Sequence, residues 1–398
     1  MLMLALILAA FVAYFFFDVG REGPAGSETT ISTTDTGDGP DVVVGHSNGA
    51  LGFPAAATRN TTRINGSDPA DSSVAATLAA YPTSGPGSPP AAVTVANGDQ
   101  WQAGVVAASL SAAPINAPIL LAPDGRLSTS GENALAQLDP LGSPDTEENK
   151  VYTVGQVAPV DGFDAKRVSG SDFADLAVNV AELRTEITGE EPAHIVVVSM
   201  DEPAYAVPAA TWSARSGDVV LYTKKDTVPK STIDYLSDKD HKDIPVFVLG
   251  PADAVSADAI EDLSKASTAV ERVPGDDPVT AAVELARFSS GTFGWNLNDP
   301  GHGFTIVRDD EPLAAIAATS LSTGGTWPAL LLTDDSDKVP EVVNDYLLDI
   351  KPGYIDDPTR AVYSRIWIIG DEDAIDVNQQ ARLDDAAELI EIDPAEGG

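Results

Sequence analysis

Cysteine is absent from the 398-residue sequence, and histidine is scarce. Without cysteine there can be no disulfide, no zinc–thiolate site and no lipidated cysteine, so redox chemistry does not indicate a compartment. None of the histidines lies three or four residues from another, and a His-based metal site therefore has no local support. We predict no metal centre and no cofactor. The histidines are His46, His194, His241 and His302.

Basic residues are also few. The chain carries 23 Lys and Arg against 61 Asp and Glu, which gives a net charge of −38. Nucleic-acid binding and docking on an anionic lipid surface both need a basic patch, so we exclude both. The acidic residues are scattered over the chain rather than gathered in one tail. Such a distribution is typical of the highly hydrated surface of halophilic proteins, in which abundant salt relieves self-repulsion.

Motifs for phosphate binding are missing, since neither a P-loop nor a G-x-G-x-x-G after a strand occurs. One enzymatic motif is present. Gly45-His-Ser47-Asn-Gly49 fits G-x-S-x-G, the nucleophile elbow of α/β-hydrolases. Only one strand precedes this motif, and the later histidines lie in other repeats or loops. An exported serine hydrolase that uses Ser47 is therefore the alternative rather than the preferred function.

Three carboxylate clusters follow predicted strands of the last repeat, where α/β proteins place their sites. Oxygen ligands of this kind can hold Mg²⁺ or Ca²⁺. In a chain this acidic we favour solvated loops instead. The clusters are Asp309-Asp-Glu311, Asp334-Asp-Ser-Asp337 and Asp371-Glu-Asp373.

The amino-terminal region indicates export. Residues 2–17 carry no charge and are, as a helix, at the short end of what spans a bilayer. We therefore predict a signal anchor or signal peptide over 1–20, forming a hydrophobic helix that meets the membrane through residues 2–17. Residues 21–40 are rich in Gly, Ser, Thr, Asp and Pro, which predicts a flexible stem. Asn60 and Asn65 begin glycosylation sequons.

The sequence repeats one motif, Arg-x-x-Gly-x-Asp, three times. The copies recur after 104 residues (167 − 63) and 105 residues (272 − 167). A fixed period of this size indicates three small domains. The motif residues are Arg63, Gly66 and Asp68, then Arg167, Gly170 and Asp172, then Arg272, Gly275 and Asp277.

Each repeat alternates short apolar strands with helical segments, which predicts a parallel sheet in an α/β layer fold. In the first repeat the strands are Ala91–Ala96, Ala117–Ala122 and Val151–Val154. The same order returns twice, and the third repeat carries an insertion around Lys351–Arg360. We place the repeats at 41–160, 161–265 and 266–398.

The motif itself has a structural interpretation. Asp before a helical run predicts an N-cap, and Pro69 and Pro278 then occupy the first helical position. Gly predicts a tight turn. The Arg is not required by this local structure, so it either pairs with a carboxylate of a neighbouring unit or binds an anionic ligand.

These stretches resemble the type 2 cell wall-binding repeat family. The matching elements are Arg63–Asp68, Ala96-Asn-Gly98, Ile119–Ala122 and Val154-Gly155, with their counterparts in the other repeats. The resemblance covers roughly residues 42–392. It implies three Rossmann-like or Toprim-like subdomains in a pseudo-trimer, and attachment to anionic wall polymers. The chain departs from the family in two places: the second Arg of the motif is Pro69, Phe173 or Pro278, and an Asp early in the second helix is Ala103, Ala206 or Ala314.

We therefore predict a non-catalytic, membrane-anchored glycoprotein on the extracellular face of the cell membrane. Its function would be adhesion or scaffolding in the cell envelope. Its partner would be an envelope glycan, an anionic polymer or a surface-layer protein. The nine motif residues are the predicted binding residues.

Overall fold

The computed structural model describes residues 55–82, 89–325 and 327–392. The predicted anchor and stem lie outside the described residues, as does the G-x-S-x-G motif with Ser47. Among the helices that the structure describes, none has the length and apolar character needed to cross a membrane.

The described chain begins with two short strands, β1 (Ala55–Ala57) and β2 (Thr61–Ile64), which pair antiparallel. Helix α1 (Pro69–Ala80) follows the first motif. It has Pro at its amino-terminal end, as the motif predicts.

The next segment forms a four-stranded parallel sheet in the order β4-β3-β5-β6. Each of the first three strands coincides with a predicted strand. The elements are β3 (Val93–Asn97), α2 (Trp101–Ala107) with the 3-10 turn Ala108–Ser111, β4 (Ile119–Ala122), α3 (Thr129–Leu138), β5 (Val151–Val154) and β6 (Lys166–Val168).

A second four-stranded parallel sheet has the order β10-β9-β7-β8. Its elements are α4 (Phe173–Thr188), β7 (Ile195–Ser199), α5 (Pro203–Ser216), β8 (Val219–Thr223), α6 (Lys230–Ser237), β9 (Val246–Val248), α7 (Ala257–Ala266) and β10 (Val270–Arg272).

The third sheet is mixed, with the order β1-β2-β14-β11-β12. The remaining elements are α8 (Pro278–Arg287), β11 (Gly303–Arg308), α9 (Pro312–Ala317) with the 3-10 turn Ala318–Thr323, β12 (Ala329–Thr333), α10 (Glu341–Asp349), β13 (Gly353–Tyr354), β14 (Arg365–Ile369), α11 (Val377–Ala386) and β15 (Ile390–Glu391).

Strands buried on both faces explain the apolar runs in the sequence. Every residue of β3, β7, β8 and β12 is buried. Helices connecting parallel strands cover both faces of each sheet, so no polar alternation is needed. The predicted α/β class with small parallel sheets is confirmed, whereas the pseudo-trimeric arrangement of Rossmann-like or Toprim-like repeats stays a prediction.

The strand that carries each arginine joins the sheet of the segment before it. β6 pairs with β5, and β10 pairs with β9. For the first such strand, β2, the described residues contain no earlier sheet. This strand pairs instead with β14, more than 300 residues further along the chain (365 − 64 = 301). The predicted first repeat, 41–160, therefore contributes a strand to the sheet of the last one.

The helices that follow β3, β7 and β11 pack against one another. These helices are α2, α5 and α9, and each contacts the other two. The apolar residues of the three sheets and their helices consequently join into one large core cluster, beside a smaller cluster under the first sheet.

The predicted insertion in the last segment is present. It contains β13, which pairs in parallel with β15, and the 3-10 turn Pro358–Arg360. Ile355 within it is exposed, as are Val362 and Tyr363 directly after it.

Candidate functional site

The three Asp residues of the motif cap helices, as predicted. Each side chain accepts a hydrogen bond from the backbone nitrogen three residues later, at 2.8 to 2.9 Å. The carboxylate thereby satisfies one free amide of the first turn of α1, α4 or α8. The capping residues are Asp68, Asp172 and Asp277.

The three Gly residues of the motif lie against the first turn of the helix that follows. A Cβ on Gly66 would come within 2.2 Å of the Ser72 nitrogen, and one on Gly170 within 2.2 Å of the Leu176 nitrogen. At Gly275 the nearest atom would be Ala281 Cα at 2.4 Å. Glycine is therefore required because the backbone of the following helix passes too close for a side chain. The sequence predicts only the turn.

Arg63 is buried, with 3% of its surface exposed, and its guanidinium binds the loop after β14. Nη1 donates to Gly370 O at 2.9 Å and to Asp371 O at 2.8 Å, and Nη2 donates to Ile375 O at 2.6 Å. Nε donates to Gln380 Oε1 at 3.0 Å. Burial lowers the pKa of Arg63, and the nearby carboxylates of Glu372, Asp371 and Asp376 oppose this shift.

The other two arginines bind corresponding loops with fewer hydrogen bonds. Arg272 donates to Gly250 O and, at 2.6 Å, to Val255 O. Arg167 is exposed and donates to Val157 O at 2.7 Å. In all three cases the guanidinium Nη atoms donate to backbone carbonyls of the loop that follows the neighbouring strand, and Arg63 Nε donates in addition to the Gln380 side chain. The pairing with carboxylates that we considered is thus replaced by pairing with carbonyls, and a direct ligand contact stays a prediction.

The two predicted glycosylation residues differ in exposure. Asn60 is 6% exposed, and its side-chain amide donates to Asp384 O at 3.1 Å. A glycan on that nitrogen would break this contact in the folded protein. Asn65 is exposed, and the folded structure leaves it accessible.

A buried polar cluster in the second sheet was missed by sequence reasoning. His194 Nδ1 lies 3.0 Å from Asp218 Oδ2, which also accepts from Trp212 Nε1 at 2.8 Å. His194 Nε2 lies 3.0 Å from Thr292 Oγ1, in the loop after α8. The cluster attaches this loop to the second sheet. Histidine is too common in loops and cores for the sequence to signal such a role.

Only some residues of the predicted carboxylate clusters lie close to residues of another cluster. Asp309 and Asp334 follow the neighbouring strands β11 and β12. Burial, followed by the charges of Asp310 and Asp334, raises the pKa of Asp309. Within the described residues, no three His, Cys, Asp or Glu side chains are arranged to hold a metal ion.

A cleft of about 360 Å³ opens beside the third sheet. Thr62 of β2 lines it together with Arg365 and Trp367 of β14. The opposite wall is formed by Ala79 and Ala80 at the end of α1, with Leu321, Gly324 and Gly325 after α9. Sequence reasoning did not find this cleft, because its residues lie far apart in the chain.

Comparison with known proteins finds a family model that matches the middle of the chain. Residues 167–261 match the model of cell wall binding domain 2. The matched segment begins at Arg167, the arginine of the second motif, and ends within α7. The predicted resemblance is confirmed for this cell wall binding domain.

Other known proteins resemble larger parts of the chain. The amidase enhancer of Bacillus subtilis (strain 168) is 29% identical over 173 residues, which are 40% of this chain and 21% of the relative. Two solved structures from Clostridium difficile share the fold at 17% identity. Cwp8 has a TM-score of 0.63 over 83% of this chain and 52% of its own, and Cwp6 has 0.64 over 89% and 51%. The chain thus spans about half the length of these structures and a fifth of the curated relative.

Proposed function

We propose that this protein attaches to the cell envelope by binding a wall or surface polymer, and that it catalyses no reaction. The observation that carries the proposal is the match of residues 167–261 to a cell wall binding domain. The motif of that domain recurs at Arg63 and Arg272, and there it again joins a strand paired with the closing strand of a sheet, a tightly packed glycine and a capped helix. In this proposal the first and last segments are two further units of the same kind.

The proposal includes a pseudo-trimer of the three units. It is supported by the mutual packing of α2, α5 and α9 and by the transfer of each arginine strand to a neighbouring sheet. Residues 2–17 would hold the protein at the extracellular face of the membrane, where adhesion or scaffolding is the expected role.

The nine motif residues would support binding by fixing the loops that follow the closing strands. Arg63 alone holds the loop from Gly370 to Ile375 through three carbonyls. Since these donors are already engaged within the chain, the motif arginines act as positioning residues in this proposal.

The charge of the chain sets a condition on binding. An anionic wall polymer would be repelled by a surface with a net charge of −38, unless salt screens the repulsion. Retention on envelopes should therefore increase as salt is raised from a low concentration.

Co-sedimentation with isolated cell envelopes tests the proposal. The chain lacking residues 1–40, which removes any contribution of the predicted anchor, is mixed with envelopes over a series of salt concentrations. We expect it to pellet with the envelopes, increasingly as salt rises, while an unrelated protein of similar acidity stays in solution. Absence from the pellet at every salt concentration would overturn the proposal.

The serine hydrolase alternative is not favoured by these comparisons. A direct check is the Ser47→Ala variant in an esterase and peptidase assay. Activity that is present in the unaltered protein and lost in the variant would restore that alternative.

A further inference from the structure

We infer that the cleft beside the third sheet, lined by Arg365 and Trp367, is a subsite for one neutral pyranose unit of an envelope glycan. The inference rests on the proposed function and specifies where one sugar would bind. The volume of the cleft, about 360 Å³, lies within the range of small-molecule pockets.

The strand geometry explains how the lining residues come together. Arg365 and Trp367 are two residues apart on β14, so their side chains project from the same face of the sheet. Thr62 is the partner of Trp367 in the register of the neighbouring strand β2, and it shares that face. One aromatic ring, one guanidinium and one hydroxyl therefore line a single opening.

Each of the three sheets carries an aromatic residue at the position of Trp367, three residues before the glycine that closes the strand. These residues are Tyr152, Phe247 and Trp367, before Gly155, Gly250 and Gly370. Tyr152 is fully buried, and its hydroxyl donates to Thr146 O at 2.8 Å. Phe247 is covered by the ring of Phe293, with centroids 3.8 Å apart and planes 4° apart. Trp367 is only half-buried and lines the open cleft.

The segments that follow the three motifs differ at two corresponding positions. Counted from the capping Asp, Ala80 of α1 corresponds to Arg184 of α4, and Ala79 corresponds to Phe288 after α8. Arg184 is a long side chain that is held in place by hydrogen bonds to Ser109 O at 2.7 Å and Ala113 O at 2.9 Å. Phe288 lies 6.0 Å from Phe247, measured between ring centroids. The two alanines leave the third position open.

Phe293 shows what kind of group this position accepts. Its flat ring lies face to face on Phe247 in the second sheet. A pyranose presents a flat face of C–H groups of similar size, with hydroxyls around its edge. The face would stack on Trp367, while the hydroxyls would reach Arg365 and Thr62.

Arg365 is free to serve such a ligand. It is exposed, its Nη1 donates to Arg59 O, and it forms no ion pair within the residues that the structure describes. Its other N–H groups can donate to sugar hydroxyls. A neutral sugar is favoured over an acidic one because the chain as a whole carries a net charge of −38, which repels anions at low ionic strength.

Calorimetric titration of the full chain with a neutral tetrasaccharide of N-acetylglucosamine tests the inference. We expect binding, and a loss of affinity of about tenfold in the Trp367→Ala variant. Ala79→Phe, which copies Phe288, should block the cleft without removing the aromatic ring. Arg365→Gln keeps the exposed surface polar and carries little risk of misfolding. Tyr363→Ala, which removes another exposed aromatic residue, serves as the control.

The outcomes separate this inference from the proposed function. Equal affinity in the unaltered protein and in the Trp367→Ala, Ala79→Phe and Arg365→Gln variants would overturn the subsite. No binding of the neutral tetrasaccharide, or binding only of an acidic tetrasaccharide of galacturonate, would also overturn it. In either case, envelope co-sedimentation that persists in all variants would leave the proposed function standing. Reduced affinity in each of the three, with the control unaffected, supports the subsite.

Discussion

Gly66, Gly170 and Gly275 lie where the backbone passes within atomic contact of the next helix. Each position has room for a hydrogen but not for a methyl group. The sequence alone showed that glycine recurs, and it suggested a turn. It could not show the close approach, because the contacted backbone atoms have no signature in residue type.

Substitution of a motif glycine should destabilise the fold. In Gly170→Ala the new methyl would meet the Leu176 nitrogen, and we expect a loss of about 1–3 kcal/mol in the free energy of unfolding. Gly324→Ala is the control, since its backbone is extended and nothing lies within 4 Å. Denaturant unfolding measures both, and an equal effect in the two variants would contradict the contact.

Thr305 of β11 is fully buried, and its hydroxyl has no hydrogen-bond partner among the described residues. Thr305→Val keeps the shape and removes this unpaired group, so we expect about 1 kcal/mol of stabilisation. The matched variant is Thr94→Val on β3, where the hydroxyl donates to Ala117 O at 3.3 Å. Thermal and denaturant unfolding should show opposite signs for the two, and a loss of stability in Thr305→Val would refute the prediction.

At the scale of the element, the sequence predicted strands, helices and caps well, because apolar runs and the Asp-Pro pattern are local signals. It did not predict the partner of β2, because pairing with β14 depends on residues at the other end of the folded chain. The cleft escaped for a related reason. It exists because Ala79 and Ala80 are small, and their position over β14 is a property of the tertiary structure.

The arginine connection between β2 and the loop after β14 should contribute strongly to stability. Arg63→Met leaves the carbonyls of Gly370, Asp371 and Ile375 without their donor, so we expect a loss of about 3 kcal/mol or more. Arg167→Met removes one hydrogen bond at an exposed site, with an expected loss of about 1 kcal/mol.

Denaturant unfolding of the two arginine variants provides the comparison. A smaller loss in Arg63→Met than in Arg167→Met would show that the hydrogen bonds of Arg63 do not hold the loop. Circular dichroism of the native state checks that both variants retain their helices and strands.

At the scale of the whole molecule, the excess of carboxylates dominates. The sequence predicted a solvated acidic surface, and the structure adds that some carboxylates, such as Asp309, are partly buried beside others. The ionised form is disfavoured there by burial and by like charge. Scattered acidic residues in a sequence do not show which of them the fold brings together.

Asp309→Asn should stabilise the protein at neutral pH. The folded state raises the pKa of Asp309, so the carboxyl contributes stability when protonated in acid, and this contribution is lost as the pH rises through the folded-state pKa. We expect a gain below about 1 kcal/mol at neutral pH, which fades towards about pH 4 and in high salt. Unfolding curves at several pH values and salt concentrations measure it.

Asp357→Asn is the matched control, because hydrogen bonds from Thr359 lower the pKa of Asp357. That substitution should give no stabilisation at neutral pH. A gain equal to that of Asp309→Asn would mean that any reduction of net charge stabilises the protein, independent of location.

The pairing of β2 with β14 has a consequence for biosynthesis. The ribosome releases Thr61–Ile64 long before it has made Arg365–Ile369, with about 300 residues between them. At ordinary translation rates that interval is roughly 15 to 60 s. Throughout this time the first and second sheets can form. The strand β14, with which β2 pairs in the third sheet, has not yet been made. The nascent chain can pair β2 with β1 at once, but it must keep the other edge of β2 accessible until β14 emerges.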